Sequence, residues 1–133
     1  IFKDQIVKFV FKDGKRNIAM LTISAKEVAL SDRITGRELV QGKDELIKRI
    51  KAGTTSQEVQ IFDSGTCQIA GEEAVWVELF ERTGAYAVHA KLHFFIKGKY
   101  FFSVKSGSDS GKDFLDSQMP KMEKALKTLK FTQ

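Results

Sequence analysis

Cysteine and proline are nearly absent: Cys67 and Pro120 are the only ones in 133 residues, and histidine occurs twice, at His89 and His93. A single cysteine excludes an intrachain disulfide and any cysteine-based metal cluster. No apolar run approaches the ~20 residues that would cross a bilayer as a helix. Phosphate loops are missing too, with no GxxxxGK and no GxGxxG after a strand. Charge of neither sign dominates: 22 Lys and Arg stand against 17 Asp and Glu, interspersed, for a net +5. Such a balance permits an anionic partner without requiring one. What is abundant is phenylalanine, 11 residues, in a composition of 42% hydrophobic and 29% charged residues that is typical of globular chains. The length suits one domain, residues 1–133, burying roughly two thirds of its unfolded surface.

Gln5 to Phe11 reads as a strand ending at the turn signal Asp13-Gly14, with Asn17 to Ser24 as its hairpin partner. Ala25 to Gln41 has too weak a pattern to assign beyond a connection with room for a short helical turn. Lys43 to Ala52 predicts a helix, with Leu46, Ile47 and Ile50 on one stripe, Asp44 and Glu45 in the first turn, and Gly53 as a stop. From Val59 to about Ser106 the period is that of strands, broken at Ser64-Gly65 and Gly71. Ser110 to Leu129 returns to helical spacing through Phe114, Leu115, Met119, Met122, Leu126 and Leu129. Proline costs ~3 kcal/mol inside a helix, so Pro120 predicts a turn over Lys112 to Ser117, a separate helix from Pro120 to Thr128, and a short strand or tail at Leu129 to Phe131.

Parity pairs the central strands. Val75, Val77 and Leu79 form one face, and Val88, Ala90, Leu92, Phe94 and Ile96 form the matching one. A two-residue loop at Thr83-Gly84 sets Leu79 opposite Val88, Val77 opposite Ala90 and Val75 opposite Leu92. A three-residue loop, Lys97-Gly98-Lys99, then sets Ile96 against Tyr100, Phe94 against Phe102 and Leu92 against Val104.

This register decides how the histidines are read. Four residues apart on a helix, His89 and His93 would share a metal; on a strand they stand ~13 Å apart, too far for one ion. His89 falls opposite Glu78, His93 opposite Ser103, and Lys91 opposite Trp76. A Glu and His pair is a conceivable acid and base, but no nucleophile or third orienting group accompanies it, and an ordinary sheet contact is the better reading. Trp76, Phe80, Phe95 and Phe101 project to the outer face, where a helix or the N-terminal hairpin is expected to cover them. Lys121, Lys124, Lys127 and Lys130 recur every three residues and form a candidate anion-binding stripe, read first as a solvated face. Gly107 to Asp113, GSDSGKD, reads as a loop with a cap from Ser110 or Asp113. Cys67 reads as a buried small hydrophobe. If the outer face is uncovered, Trp76, Lys91, Phe95 and Phe101, with Lys121, Lys124 and Lys127, make up the candidate interaction surface.

QIAGEEAVWVEL (Gln68 to Leu79), HFFIKGKYFFSV (His93 to Val104), the Asp113-Phe114 helix start, Pro120 and LKTLKF (Leu126 to Phe131) resemble the PsbP-like family. That fold is shared by the Ran-binding Mog protein of nuclear transport and by bacterial proteins of undetermined role. The resemblance covers roughly half the chain. It implies an antiparallel sheet between helices and a binding or assembly role, not catalysis; no cofactor is expected. Members usually open with a strand and a proline-tryptophan segment that these residues lack, and no residues match the photosystem-binding or Ran-binding determinants. Many bacterial relatives are exported or lipid-anchored. A chain opening at Ile1 is compatible with a removed signal peptide.

The expectation is therefore an α+β domain, an antiparallel meander flanked by helices as an α/β/α-type sandwich. Its function is expected to be non-catalytic binding of another protein or an anionic surface, outside the cytoplasm, with no specific nucleic acid and no transmembrane segment. The alternative location is the cytoplasm, and the competing class is a small-molecule-binding protein or enzyme like nuclear transport factor 2, with a pocket between helices and a curved sheet. That class requires a buried Asp, Glu or His in a pocket of several hundred Å³.

Overall fold

A computed structural model of the chain describes the backbone of residues 5–13, 17–53 and 58–128, and the side chains of Val10 and of residues 18–52 and 58–124. The Asp13-Gly14 turn, the Leu129 to Phe131 tail and the side chain of Lys127 lie outside these. Six strands form one antiparallel sheet: β1 (Gln5–Asp13), β2 (Asn17–Glu27), β3 (Glu58–Ile69), β4 (Glu72–Thr83), β5 (Tyr86–Lys97) and β6 (Tyr100–Ser108), in spatial order β1-β2-β6-β5-β4-β3. Helices α1 (Gly36–Gln41) and α2 (Lys43–Gly53) cover one face, and α3 (Lys112–Thr128) covers the other. The expected α+β sandwich is what forms.

Alternation of apolar side chains on both faces creates two cores. Under α1 and α2 lie Val75, Val77, Leu79, Ala90 and Phe94, closed by Leu39 and flanked by Leu46, Ile47 and Ile50 from α2. Under α3 lie Leu21, Ile23, Ala74, Phe95 and Val104, closed by Leu115 and Met122. The helical layers are offset. α1 packs on β4 and β5, whereas α3 packs on β6, β2 and β5.

Several expectations change. The connection after Ala25 holds a 3-10 turn at Leu30–Asp32 and then α1. A capping box starts α1: Thr35 Oγ1 accepts from the Glu38 amide at 3.1 Å, and the Glu38 carboxylate accepts from the Thr35 amide at 3.2 Å. β3 does not break at Ser64-Gly65 but runs on, with a register shift between Ile61 and Asp63. α3 continues through Pro120. The lost N–H and the crowded carbonyl cost ~3 kcal/mol, but burying Leu115 and Met122, each worth about 1.5–3 kcal/mol, outweighs that. Ser110 is engaged elsewhere: its Oγ accepts from the Ile18 amide at 3.1 Å, beside Ser108 Oγ donating to the Ile18 carbonyl at 2.7 Å, so the GSDSGKD loop ties β6 to β2.

The meander registers also move. The β4–β5 turn is Gly84-Ala85, so Leu79 pairs with Ala90, Val77 with Leu92 and Val75 with Phe94. That two-residue slip keeps the faces and changes the neighbours. The β5–β6 turn is a two-residue Gly98-Lys99, pairing Lys97 with Tyr100, and it reverses the expected parity of β6. Gly84 and Gly98 both have φ of 62°, at the first central position that a type II′ turn reserves for glycine. Phe102 thereby stacks on Phe95 with centroids 4.9 Å apart, and Phe101 stacks on Phe94 at 5.9 Å on the opposite face.

Candidate functional site

The α3 side of β4 and β5 carries a strip of aromatic rings and cations. It begins at Trp76, paired on β3 with Gly65 and on β5 with His93. The indole lies on Gly65: a Cβ built there would come within 2.7 Å of it. Glycine at this edge position is what admits the ring. Lys91 Nζ sits 4.6 Å from the Trp76 ring centroid, a cation–π contact of about 0.5–1 kcal/mol at an exposed site. One step along, Phe80 packs against His89 at 4.8 Å, and the Arg82 guanidinium lies 5.7 Å from the Phe80 centroid. Between the two aromatics Glu78 pairs with Lys91 across the strands and approaches Lys112 Nζ at 3.7 Å. Lys112 in turn meets Asp116 at 3.2 Å, and this hydrogen bond, with the carboxylates around it, holds its ammonium above the ordinary lysine range.

His93 sits deeper. Its Nδ1 is buried with no hydrogen-bond partner, and burial, aided by the Lys91 ammonium, pushes the imidazole down to about 4. It is neutral at pH 7. Cys67 packs against the same core, and burial pushes its thiol up although Lys91 opposes this. Neither group is poised as a nucleophile or base.

The expected surface is only partly assembled. Trp76 and Lys91 do touch, but diagonally, because Lys91 pairs with Glu78. His89 faces Phe80 instead of Glu78, and His93 lies between Trp76 and Val104 instead of facing Ser103. Phe95 is 0% exposed and belongs to the core, so it cannot meet a partner. Phe101 lies on the α1 and α2 face. Lys121 and Lys124 are exposed on α3, on the same side of the sheet as Trp76. Sequence reasoning missed Gly65, Phe80 with His89, and Arg82. Glycine inside an edge strand was the available signal.

The other face carries two cavities. One, of about 420 Å³, lies between the 3-10 turn, α1, α2 and the β5–β6 turn, floored by Leu39, Leu46, Ile96 and Phe101. Its ionisable lining, Asp32, Arg33, Glu38, Glu45, Arg49 and Lys99, is exposed. The second, of about 380 Å³, lies over the part of β2 and β6 that no helix covers and contains the Lys105 and Glu81 ion pair at 2.6 Å. His93 lines neither. Among the described residues, no helix is long and apolar enough to cross a membrane.

No protein-family model matches the chain, and no curated protein matches it. Solved structures are similar to it. A protein of unknown function from Pseudomonas aeruginosa, PA94, suggested to be a regulator, superposes with a TM-score of 0.72 at 14% identity, covering 98% of this chain and 85% of that one. The solution structure of cyanobacterial PsbP from Synechocystis sp. PCC 6803 superposes with a TM-score of 0.49 at 10% identity, covering 89% and 76%. A PsbP structure is among those found, and the Ran-binding Mog protein is not one of the two. Neither is described as an enzyme. At these identities the likeness concerns the fold alone.

Proposed function

We propose that the chain is a non-catalytic accessory module that binds another protein through the strip around Trp76 and Lys91. The observation that carries this reading is the indole lying across Gly65 at the β3 edge with a lysine ammonium 4.6 Å from its ring, on a sector of the sheet to one side of α3. A half-buried Trp matches the composition of interface anchors, which are rich in Trp, Tyr and Arg, and the Lys91 ammonium stacked on it gives the site a positive charge. Lys121 and Lys124 add positive charge on the same side, so the favoured partner is a segment carrying apolar and acidic side chains. In this reading the module works outside the cytoplasm, an address carried by the family resemblance and tested by fractionating cells that make the full-length protein.

The chain has one tryptophan, which makes the site its own probe. A partner captured from the source cells should shift Trp76 emission on titration. Trp76→Ala and Lys91→Glu should each weaken capture at least tenfold, and Lys121→Glu with Lys124→Glu less. Capture indifferent to Trp76→Ala and Lys91→Glu would overturn the reading.

A second reading attaches to the 420 Å³ cavity, whose floor of Leu39, Leu46, Ile96 and Phe101 would accept an apolar small molecule. A dye that fluoresces in apolar sites should then bind, and Phe101→Asp should abolish binding. Its exposed ionisable lining favours binding over catalysis.

A further inference from the structure

The pairing of a ring with a cation occurs twice on β4. Trp76 and Phe80 share the α3 side of the strand, four residues and ~13 Å apart. Lys91 Nζ lies 4.6 Å from the first ring centroid, and the Arg82 guanidinium lies 5.7 Å from the second. Carboxylates stand opposite both cations, Glu78 across from Lys91 and Glu58 across from Arg82. Each is engaged elsewhere: Glu78 approaches Lys112 at 3.7 Å, and Glu58 Oε1 accepts from Gln60 Nε2 at 3.0 Å. Among the described residues, neither Lys91 nor Arg82 has a carboxylate within ion-pair distance, so both rest on rings with their charge unmet.

We infer that the two pairs form one site for an extended acidic peptide segment laid along β4, its carboxylates four residues apart on Lys91 and Arg82 and an uncharged side chain midway. This rests on the protein-binding reading of the strip and specifies the pattern its partner carries. In an extended chain, residues four apart span the same ~13 Å and point to one side. The residue midway faces Glu78, so a third carboxylate there would meet a like charge. Single-stranded nucleic acid also seeks rings beside cations, but it stacks bases on open ring faces. Here the indole already lies on Gly65 with Lys91 over it, and Phe80 lies against His89 and Arg82. Carboxylates need only the cations.

The test titrates the 133-residue chain with short serine- and threonine-based peptides at low salt, followed by the emission of its one tryptophan. A peptide with two glutamates four residues apart and a valine midway should bind about fivefold more tightly than one with its glutamates two apart. Replacing the valine by a third glutamate should weaken binding. Arg82→Gln, at an exposed position where substitution leaves the core untouched, should remove the preference for the wider spacing, and a circular dichroism melt establishes that the variant folds. Equal affinity for both spacings would overturn the inference, and so would a preference that survives Arg82→Gln, tighter binding of an oligothymidylate, or no change in emission with any peptide. If partner capture still depends on Trp76 and Lys91 in that event, the proposed function stands and the two-carboxylate pattern alone falls.

Discussion

Each face of the sheet carries an apolar core closed by helices, and the two differ in the groups set among those cores. Under α1 and α2 the described core is aliphatic and aromatic, with Val75, Val77, Leu79, Ala90 and Phe94 closed by Leu39. Under α3 the core of Leu21, Phe95, Val104 and Met122 shares its layer with His93 Nδ1 and Gln118 Oε1, both buried without a hydrogen-bond partner. An orphaned buried polar group costs about 1–3 kcal/mol. Among the described residues, these two unpartnered polar atoms fall on the α3 face. The aromatic and cationic strip lies on that second face.

The largest effects should be alike on both faces. Phe95→Ala, at a 0% exposed site, should cost about 3–5 kcal/mol, and Leu79→Ala on the other face about 2–5 kcal/mol, measured by urea unfolding. A cost below 1 kcal/mol for either would mean that face is not a packed core.

Acid should separate the faces. His93 is held near 4, whereas an unfolded chain titrates it near 6.5, so between these values the unfolded chain binds more protons. Stability from this group is complete above the upper value and is lost as pH falls through the window, to a total of about 3 kcal/mol. His93→Phe should flatten that limb, while Leu79→Ala should lower stability equally across it. An unchanged pH slope in His93→Phe would place the acid sensitivity elsewhere.

How much of this was legible in the sequence depends on what decides each feature. Parity assigned Val75, Val77, Leu79, Ala90 and Phe94 to one face correctly, because strand periodicity survives a two-residue slip. Neighbours across strands did not survive it, so His89 was matched with Glu78 when it meets Phe80. β6 was harder still. Both faces are covered, so Phe101 and Phe102 are apolar alike, and only the turn at Gly98 decides which goes where. The Thr35 and Glu38 capping box is a local pattern open to the sequence, whereas the passage of α3 through Pro120 rests on tertiary packing that no local pattern encodes. At the candidate site, Trp76 and Lys91 were recognisable as a pair, but Gly65 had looked like a strand break.

Gly65→Ala tests that correction and comes next in size. Its Cβ would enter the space of the indole, so Trp76 must move, at about 1–3 kcal/mol. The sole tryptophan reports its own displacement by a changed emission maximum. The same substitution at Gly71, where no atom lies within 4 Å, should leave the emission unaltered and cost only the strain of its left-handed backbone. Equal emission shifts from both would mean that the indole does not rest on Gly65.

The smallest expected change in stability is also the most discriminating. Lys91→Met keeps most of the aliphatic stem and removes the charge, so it should cost only about 0.5–1 kcal/mol through the lost contact with Trp76. The Lys91 ammonium also lowers His93, so its removal should move the midpoint of the acid limb upward, toward neutral pH, and leave the limb in place because burial is the larger cause. A structural lysine would do no more than this. If Lys91 also anchors a partner, the same variant should lose affinity far out of proportion to its stability, with the loss growing at low salt, where unscreened charge contributes most. Stability and affinity falling together by the same small amount would reduce the strip to a second structural face.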